Sequence, residues 1–533
     1  MHWLQKGRRA LLLGLCLSAP ALAQVPAPAA SLAPPPLAET TPTQVKESED
    51  PEVRFIAFFL SRVELTDVSP ENELLQGQTV GRLFGANSTR TFTEPSFFGE
   101  QRIIPFFVYE PKVVDGFARL RAAFDLKFTW GDTNYGVGGN SGSAINAHQV
   151  NLQTTNVEIE FNLPWAGWYA DVGLQRLYDN PRDLYRTLFS TLSLTGNRLA
   201  FWGADAIGVS IYGNGQGNTY KLGAYQLYEN KVRLDDDVSL FEALIDRHLG
   251  QTLRVGGHVR YLRDRSNGAG GISVLSQGPA SLLADYNGVY RFNFGGARHR
   301  SDIIWTGVDA SYNPEFAAGR WGGSAFVVAN LGQIRTEGAD GRFAPAANLL
   351  GVAANARVGY RYGITRNELI QGEVVITTGD ANGHSDGWFN GVITGNTWGS
   401  PGAAFTSHGT YLLMPHINVV NRLTAAVADI SNQGFGLTAT TLSVSKDLIP
   451  NLLTAKLGAA VGFSNIEPAR GGPLIGIEAN AWLSYQLAVF FTVEAHAAYL
   501  RLGNFYDDPR VSGGAERPLD PWTTFVTLKW LMF

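Results

Sequence analysis

Residues 474–486, LIGIEANAWLSYQ, alternate apolar and polar positions almost without a break. Ile475, Ile477, Ala479, Ala481, Leu483 and Tyr485 fall on one side. Gly476, Glu478, Asn480, Ser484 and Gln486 fall on the other, with Leu474 and Trp482 as the exceptions. Side chains of a strand point to opposite faces with period two, so this pattern predicts a sheet with one apolar and one wet surface. Similar stretches recur along the chain. VNLQTTNVEIEF (150–161) and WYADVGLQRLY (168–178) flank a turn at 162–167, residues 440–463 predict a hairpin turning at Lys446–Pro450, and 484–500 one turning at Leu487-Ala488. Longer connections at 131–148, 264–288 and 505–521 are rich in Gly, Ser, Asn and Asp, which tolerate turns.

The repetition predicts an all-β chain, a single large antiparallel transmembrane β-barrel over residues 52–533. Strands of about 9–11 residues plus loops give about 16–20 strands, and even numbering in single-chain bacterial barrels points to about 18. Short turns are expected at the periplasmic end and long loops outside. The chain ends FVTLKWLMF, where Val526, Leu528, Trp530 and Met532 form the better apolar face and Phe533 falls in the other phase. Trp165, Trp168, Tyr178 and Trp530 near strand ends suit interfacial aromatic girdles; the bland alternative is core or loop aromatics.

The N-terminus changes the picture of where such a barrel resides. Residues 1–23 read as a secretory signal: Lys6, Arg8 and Arg9, an apolar stretch at 10–23, and Ala21-Leu22-Ala23 predicting cleavage before Gln24. Cys16 lacks the small preceding residue that lipidation expects. Residues 24–51 hold a Pro/Ala/Thr-rich tract read as a disordered leader. Cys16 is the single cysteine, so no disulfide framework or thiolate chemistry is available after cleavage. No later run of 18 apolar residues suggests a helical span. Loss of three basic residues moves the formal charge from −5 to −8, which argues against nucleic-acid binding. The localisation this implies is the bacterial outer membrane.

If the apolar faces meet lipid, the alternating residues line the lumen. In 116–130, Ala118, Leu120, Ala122, Phe124, Leu126, Phe128 and Trp130 point outward, turning Arg119, Arg121, Asp125 and Lys127 inward. In 253–262, Leu253, Val255, Val259 and Tyr261 face lipid, leaving Arg254, His258 and Arg260 inside. Arg357 and Arg361 follow in 356–363, and Glu158, Glu160, Asp309, Glu373, Glu478 and Glu494 join them. Opposed basic and acidic ladders would set up a transverse field favouring charged or dipolar solutes. Cross-strand pairing that merely braces a wide barrel is the plainer account of the same charges.

Catalytic and metal readings are weaker. His384-Ser385 are adjacent and point apart if extended, which disfavours a barrel phospholipase. Asp235-Asp236-Asp237 and Asp507-Asp508 are more often solvated loops than cation sites. Gly213, Gly215 and Gly217 lack the spacing and following helix of a dinucleotide loop and suit a turn. The nine histidines show no metal-ligand spacing, so no metal, catalytic residue or cofactor is expected.

Two stretches carry a resemblance. Gly173-Leu174-Gln175-Arg176 leads through a polar loop to Phe201-Trp202-Gly203, and a later strand ends in Thr378-Gly379-Asp380. With the 440–463 hairpin, this is similar to alginate-export-type outer-membrane barrels. The resemblance implies an 18-stranded monomeric barrel conducting a substrate across the outer membrane.

The residues themselves point to a porin-like channel for passive diffusion of small hydrophilic, charged or saccharide-like solutes, in contact with membrane lipid and with no nucleic acid. An inward-folded loop would narrow it. The alternatives are a dedicated polysaccharide exporter of the alginate-export type, partnered by a periplasmic scaffold, or a closed barrel acting as an enzyme or adhesin. A soluble periplasmic β-rich protein is the remaining alternative.

Overall fold

A computed structural model describes residues 52–70, 83, 89–114, 116–130, 151–176, 205–215, 217–228, 236–268, 290, 292–393, 409–414, 427–428, 430–512 and 516–532. The expected signal (1–23) and leader (24–51), the 131–148 loop, Tyr178 and Phe533 lie outside them, as do Phe201-Trp202-Gly203.

The strands follow one another along the chain. They are β1 (Val53–Pro70), β2 (Thr89–Tyr109), β3 (Ala118–Trp130), β4 (Asn151–Asn162), β5 (Trp168–Arg176) and β6 (Asp205–Gly215). Next come β7 (Asn218–Tyr228), β8 (Val238–Leu249), β9 (Leu253–Asp264), β10 (His299–Tyr312), β11 (Trp321–Glu337) and β12 (Phe343–Arg361). The remainder are β13 (Leu369–Thr377), the two-residue β14 (Trp388–Phe389), β15 (Leu437–Ile449), β16 (Leu453–Ser464), β17 (Leu474–Ala488), β18 (Phe491–Leu502) and β19 (Trp522–Met532).

Every strand but β14 pairs antiparallel with its chain neighbours, and β13 pairs directly with β15. β1 then pairs with β19 from Ala57↔Met532 to Thr66↔Thr523, which closes an eighteen-stranded barrel. Closure satisfies the edge groups that hydrocarbon cannot hydrate. β14 pairs in parallel with Asn348 and Leu349 of β12, taking the place beside β12 beyond the end of β13.

At one end of the barrel, strands are joined by connections of two to eight residues; at the other, every connection but the five-residue β11–β12 turn (338–342) is longer. In bacterial outer-membrane barrels the short turns lie at the periplasmic end. Gly217 takes φ +80° at the short-turn end, so the Gly213–Gly217 run serves the β6–β7 turn. Two expected turns shift. β15 runs on to Ile449, and the turn is at 450–452, where Asn451 adopts φ +58°; β17 likewise continues through Ala488, and 489–490 turns. A bulge in each strand, at Asp447/Ile449 and Gln486/Ala488, absorbs the extra residue. The 505–521 connection does not simply project outward: its 3-10 turn, Asn504–Asp507, buries Phe505 and Tyr506.

Alternation sorts the faces. Leu120, Val259, Val358, Ile477 and Val526 are exposed to the lipid side, while Arg121, Arg260, Arg357, Glu478 and Thr527 on the same strands are buried. Ile475 departs from the pattern. It is the extra residue of β17 at the bulge facing Gly462 and Phe463, is completely buried and turns inward beside Leu413. Trp482 keeps the lumenal phase despite its apolar ring, which lies 6.2 Å from that of His496. Near the short-turn end, Trp168 stacks on Tyr220, Trp321 leans on Tyr360 and Trp530 meets Phe491 edge-on; Trp165 is exposed in its turn. These rings form an interfacial band.

Leu222, at the middle of β7, is 61% exposed and meets lipid. Leu222→Arg should cost about 2–4 kcal/mol of unfolding free energy in lipid vesicles, the penalty of a guanidinium near the midplane. An unchanged denaturation midpoint would remove Leu222 from the lipid face.

Candidate functional site: a charged lumen with a loop on its wall

The inward positions of β3–β6 gather one charged cluster. Arg121 donates to Glu160 at 2.5 Å and lies 4.0 Å from both Glu158 and Asp171. Arg119 reaches Glu160 at 3.2 Å and Glu110 at 3.7 Å, and the Tyr212 hydroxyl also donates to Glu160. Backbone pairing sets this up: Arg119 stands opposite Glu160, and Arg121 opposite Glu158. Gln175, in the same lumenal phase, accepts from Ser210 at 2.7 Å. The side chains of Asp125 and Lys127, also expected in this wall, lie outside the described residues.

A second cluster spans β7–β9. Arg260 donates twice to Glu242, at 3.1 and 3.0 Å, while Lys221 at 2.5 Å and Tyr225 at 2.8 Å engage its other oxygen. Beside it Arg254 meets Asp309 at 3.0 Å and Asp246 at 3.7 Å. His258 is buried between these groups, and among the described residues neither ring nitrogen has a hydrogen-bond partner. On β12–β13 Arg357 and Asn355 both donate to Glu373 at 3.0 Å. Near the closing seam Lys529 at 2.5 Å and His496 at 3.1 Å engage Glu494, and Arg62 pairs with Glu64 at 2.6 Å.

The expected opposed ladders are therefore not the arrangement found. Acid and base stand side by side on neighbouring strands, where pairing in a narrow lumen offsets the cost of burying each charge. Lys221, Glu242, Asp246 and Lys529 were legible by the same alternation that singled out Arg254 and Arg260; only the short windows chosen left them out.

Two described parts of the connection between β14 and β15 pack on the inner wall. At β10–β11 the Trp305 indole donates to Ile393 O at 2.8 Å, and Ile393 N donates to Asn330 at 3.1 Å. Residues 409–414 pack against β17. Tyr411, Leu412 and Leu413 donate three consecutive backbone N–H groups to Glu478, at 2.7, 3.1 and 2.7 Å. Asn480 bridges Glu478 and Gly409 O, at 2.8 and 2.6 Å. Val427 and Ala428 donate to Leu412 O and Leu413 O, and Thr377 holds Ile430 O at 2.6 Å on the return. Tyr411 meets the His496 ring edge-on at 5.2 Å; His496 stacks on Phe525 at 4.3 Å, and the Arg62 guanidinium lies 3.7 Å over Phe525. An apolar run, Tyr411-Leu412-Leu413-Met414, inside a glycine-rich connection was the one sequence signal for this segment.

Below the loop, toward the short-turn end, opens a recess of about 1090 Å³. Its lining includes Tyr411, Trp482 and His496, the cations Arg357, Arg361, Arg366, Lys456 and Lys529, and the carboxylates Glu315 and Glu494. Arg361 stacks on Phe316 at 4.7 Å.

The rejected chemistry finds no support in the geometry. His384 Nε2 faces Asn293 O at 3.1 Å, which leaves Nδ1 to accept from the Tyr290 hydroxyl at 2.5 Å, while Ser385 turns to Asn382 O. Burial pushes the Tyr290 hydroxyl up to about 12, so it stays a donor at neutral pH. Asp507 pairs with Arg517, and Asp508 with Arg510. Asp235 lies outside the described residues, and Asp237 accepts from Gln226. Among the described residues no three His, Cys, Asp or Glu side chains gather as a metal site.

No family model matches the chain, and no curated protein does. Solved structures do. OccK5 (OpdH) of Pseudomonas aeruginosa is 12% identical, covering 90% of this chain and 98% of its own, with a TM-score of 0.43. OccAB4 of Acinetobacter baumannii is 9% identical over 91% and 99%, with a TM-score of 0.45. A BenF-like porin of Pseudomonas fluorescens Pf-5 is 9% identical over 90% and 98%, with a TM-score of 0.47. The resemblance to alginate-export-type barrels is overturned: no such family model matches, and these structures are Occ/Opd and BenF-like proteins instead. Gly-x-Gln-Arg and Thr-Gly-Asp are pieces any large barrel reuses. In this chain Gln175 braces Ser210, and Asp380 accepts the N–H groups of Asn382 and Asn390.

Proposed function

We propose that this protein is an outer-membrane pore that passes small hydrophilic solutes by diffusion and favours anions. The observation that carries the reading is the charge of the recess on the short-turn side of the loop. Five cationic side chains face two carboxylates there, and counting Glu373, the partner of Arg357, still leaves five against three. A lumen walled by low-dielectric strands focuses such an excess, raising the local concentration of anions and the barrier to cations. The cluster around β7–β9 is balanced, with Lys221, Arg254 and Arg260 against Glu242, Asp246 and Asp309, whereas the β3–β6 cluster sets Arg119 and Arg121 against Glu110, Glu158, Glu160 and Asp171 and leans acidic, so the cationic excess belongs to the recess. Trp482 and Tyr411 give the same recess an apolar flank for the uncharged part of a solute. Passage needs no bond-making chemistry.

The test is conductance of the purified protein in a planar bilayer under a KCl gradient. The expected result is stepwise current with a reversal potential showing anion preference. The triple variant Arg361→Glu, Arg366→Glu, Lys456→Glu should move that potential toward cations, with heat-modified gel mobility checking that the barrel stays closed. Cation preference in the unaltered protein would sink the selectivity, and a correctly inserted but silent barrel would sink the pore itself.

A further inference from the structure

Glu478 is unlike the other lumenal carboxylates. Glu160, Glu242, Asp309, Glu373 and Glu494 each lie within 3.2 Å of an Arg or Lys. Glu478 is completely buried and, among the described residues, forms no ion pair. Its oxygens are met by Tyr411 N, Leu412 N, Leu413 N and the Asn480 amide. A buried carboxylate without such donors costs several kcal/mol, and three successive N–H groups converging on one anion form a concave nest that offsets this cost. The nest is closed on itself: Met414 N donates to the Thr410 hydroxyl at 3.2 Å, and that hydroxyl donates back to Met414 O. The wall charge is thus spent on a loop backbone, whose amides are present whatever side chains the loop carries.

We infer that Glu478 is the positioning residue that holds residues 409–414 on the inner wall at β17, and so sets the bore of the pore. This rests on the pore reading above. An apolar attachment at this wall accompanies Glu478: a Cβ at Gly462 would lie 3.2 Å from Leu413 Cδ1, so Leu413 sits directly on the strand backbone. Without the carboxylate, three amides lose their acceptor, while the Asn480 amide still holds Gly409 O.

The experiment is single-channel conductance of Glu478→Gln, whose amide presents N–H to N–H on one side. Conductance should rise about two-fold or more, with open-channel noise, as the bore widens. Leu412→Pro removes one of the three donors from the loop side and leaves every wall residue in place, so it should show the same sign even if Glu478→Gln fails to fold. A cysteine pair, Leu413→Cys with Gly462→Cys, in a Cys16→Ser background should return Glu478→Gln to the parental conductance when oxidised and release it when reduced. Heat-modified gel mobility checks that each barrel is closed. Unchanged or reduced conductance in a closed-barrel variant, with the parent conducting, would overturn the role of Glu478. A silent parent would instead overturn the pore.

Discussion

Hydrocarbon offers no partner for a backbone N–H or C=O, and everything else in this molecule follows from that constraint. A sheet in such a solvent must close, and the ladder between β1 and β19 joins residues more than 450 positions apart to do so. Closure fixes the phase of every strand. Once one face must meet lipid, the period of two delivers the opposite side chains to a single enclosed space. That is how Arg121 from β3, Arg260 from β9 and Glu494 from β18 come to share a lumen without sharing any local sequence.

An enclosed space with many charges has to settle its electrostatics locally. The solution here is adjacency: Arg121 with Glu160, Arg260 and Lys221 with Glu242, Arg254 with Asp309. Antiparallel register places these partners on neighbouring strands, near enough that each carboxylate keeps a charged donor. Such pairs are sensitive to the removal of one member rather than sources of great stability. They make a polar wall that is balanced around β7–β9 and leans acidic on β3–β6, so the cationic excess on which the proposed selectivity rests lies at the short-turn recess.

The barrel was readable because period two is a property of sequence alone. Its strand number and the inward placement of Arg119, Arg254 and Arg357 follow from counting and alternation. Alternation fails where bulges intervene, as at Ile475, because an extra residue on one strand changes phase without changing composition. Turn positions drifted by two or three residues at 450–452 and 489–490 for the same reason. Partnership was less legible than orientation: which acid meets which base depends on register, a long-range outcome that no single strand encodes. The loop at 409–414 was least legible of all, since what holds it is backbone amide, identical at every residue. Short motifs proved the poorest guide, and Gly-x-Gln-Arg led to the wrong family.

In the proposed pore, the two quantities to be set, bore and sign, are carried by different chemistry. The proposed sign rests on side chains near one mouth, Arg361, Arg366 and Lys456, that lie away from the clusters on β3–β9. The bore lies in a loop whose backbone is clasped by one carboxylate on β17. Tyr411 connects the two, since its amide is held by Glu478 while its ring covers His496 at the edge of the recess. A backbone clasp fixes where the constriction is without dictating what the loop presents to the solute. The residues that discriminate among solutes are thereby free to differ from those that place the loop, and changing one function need not unmake the other.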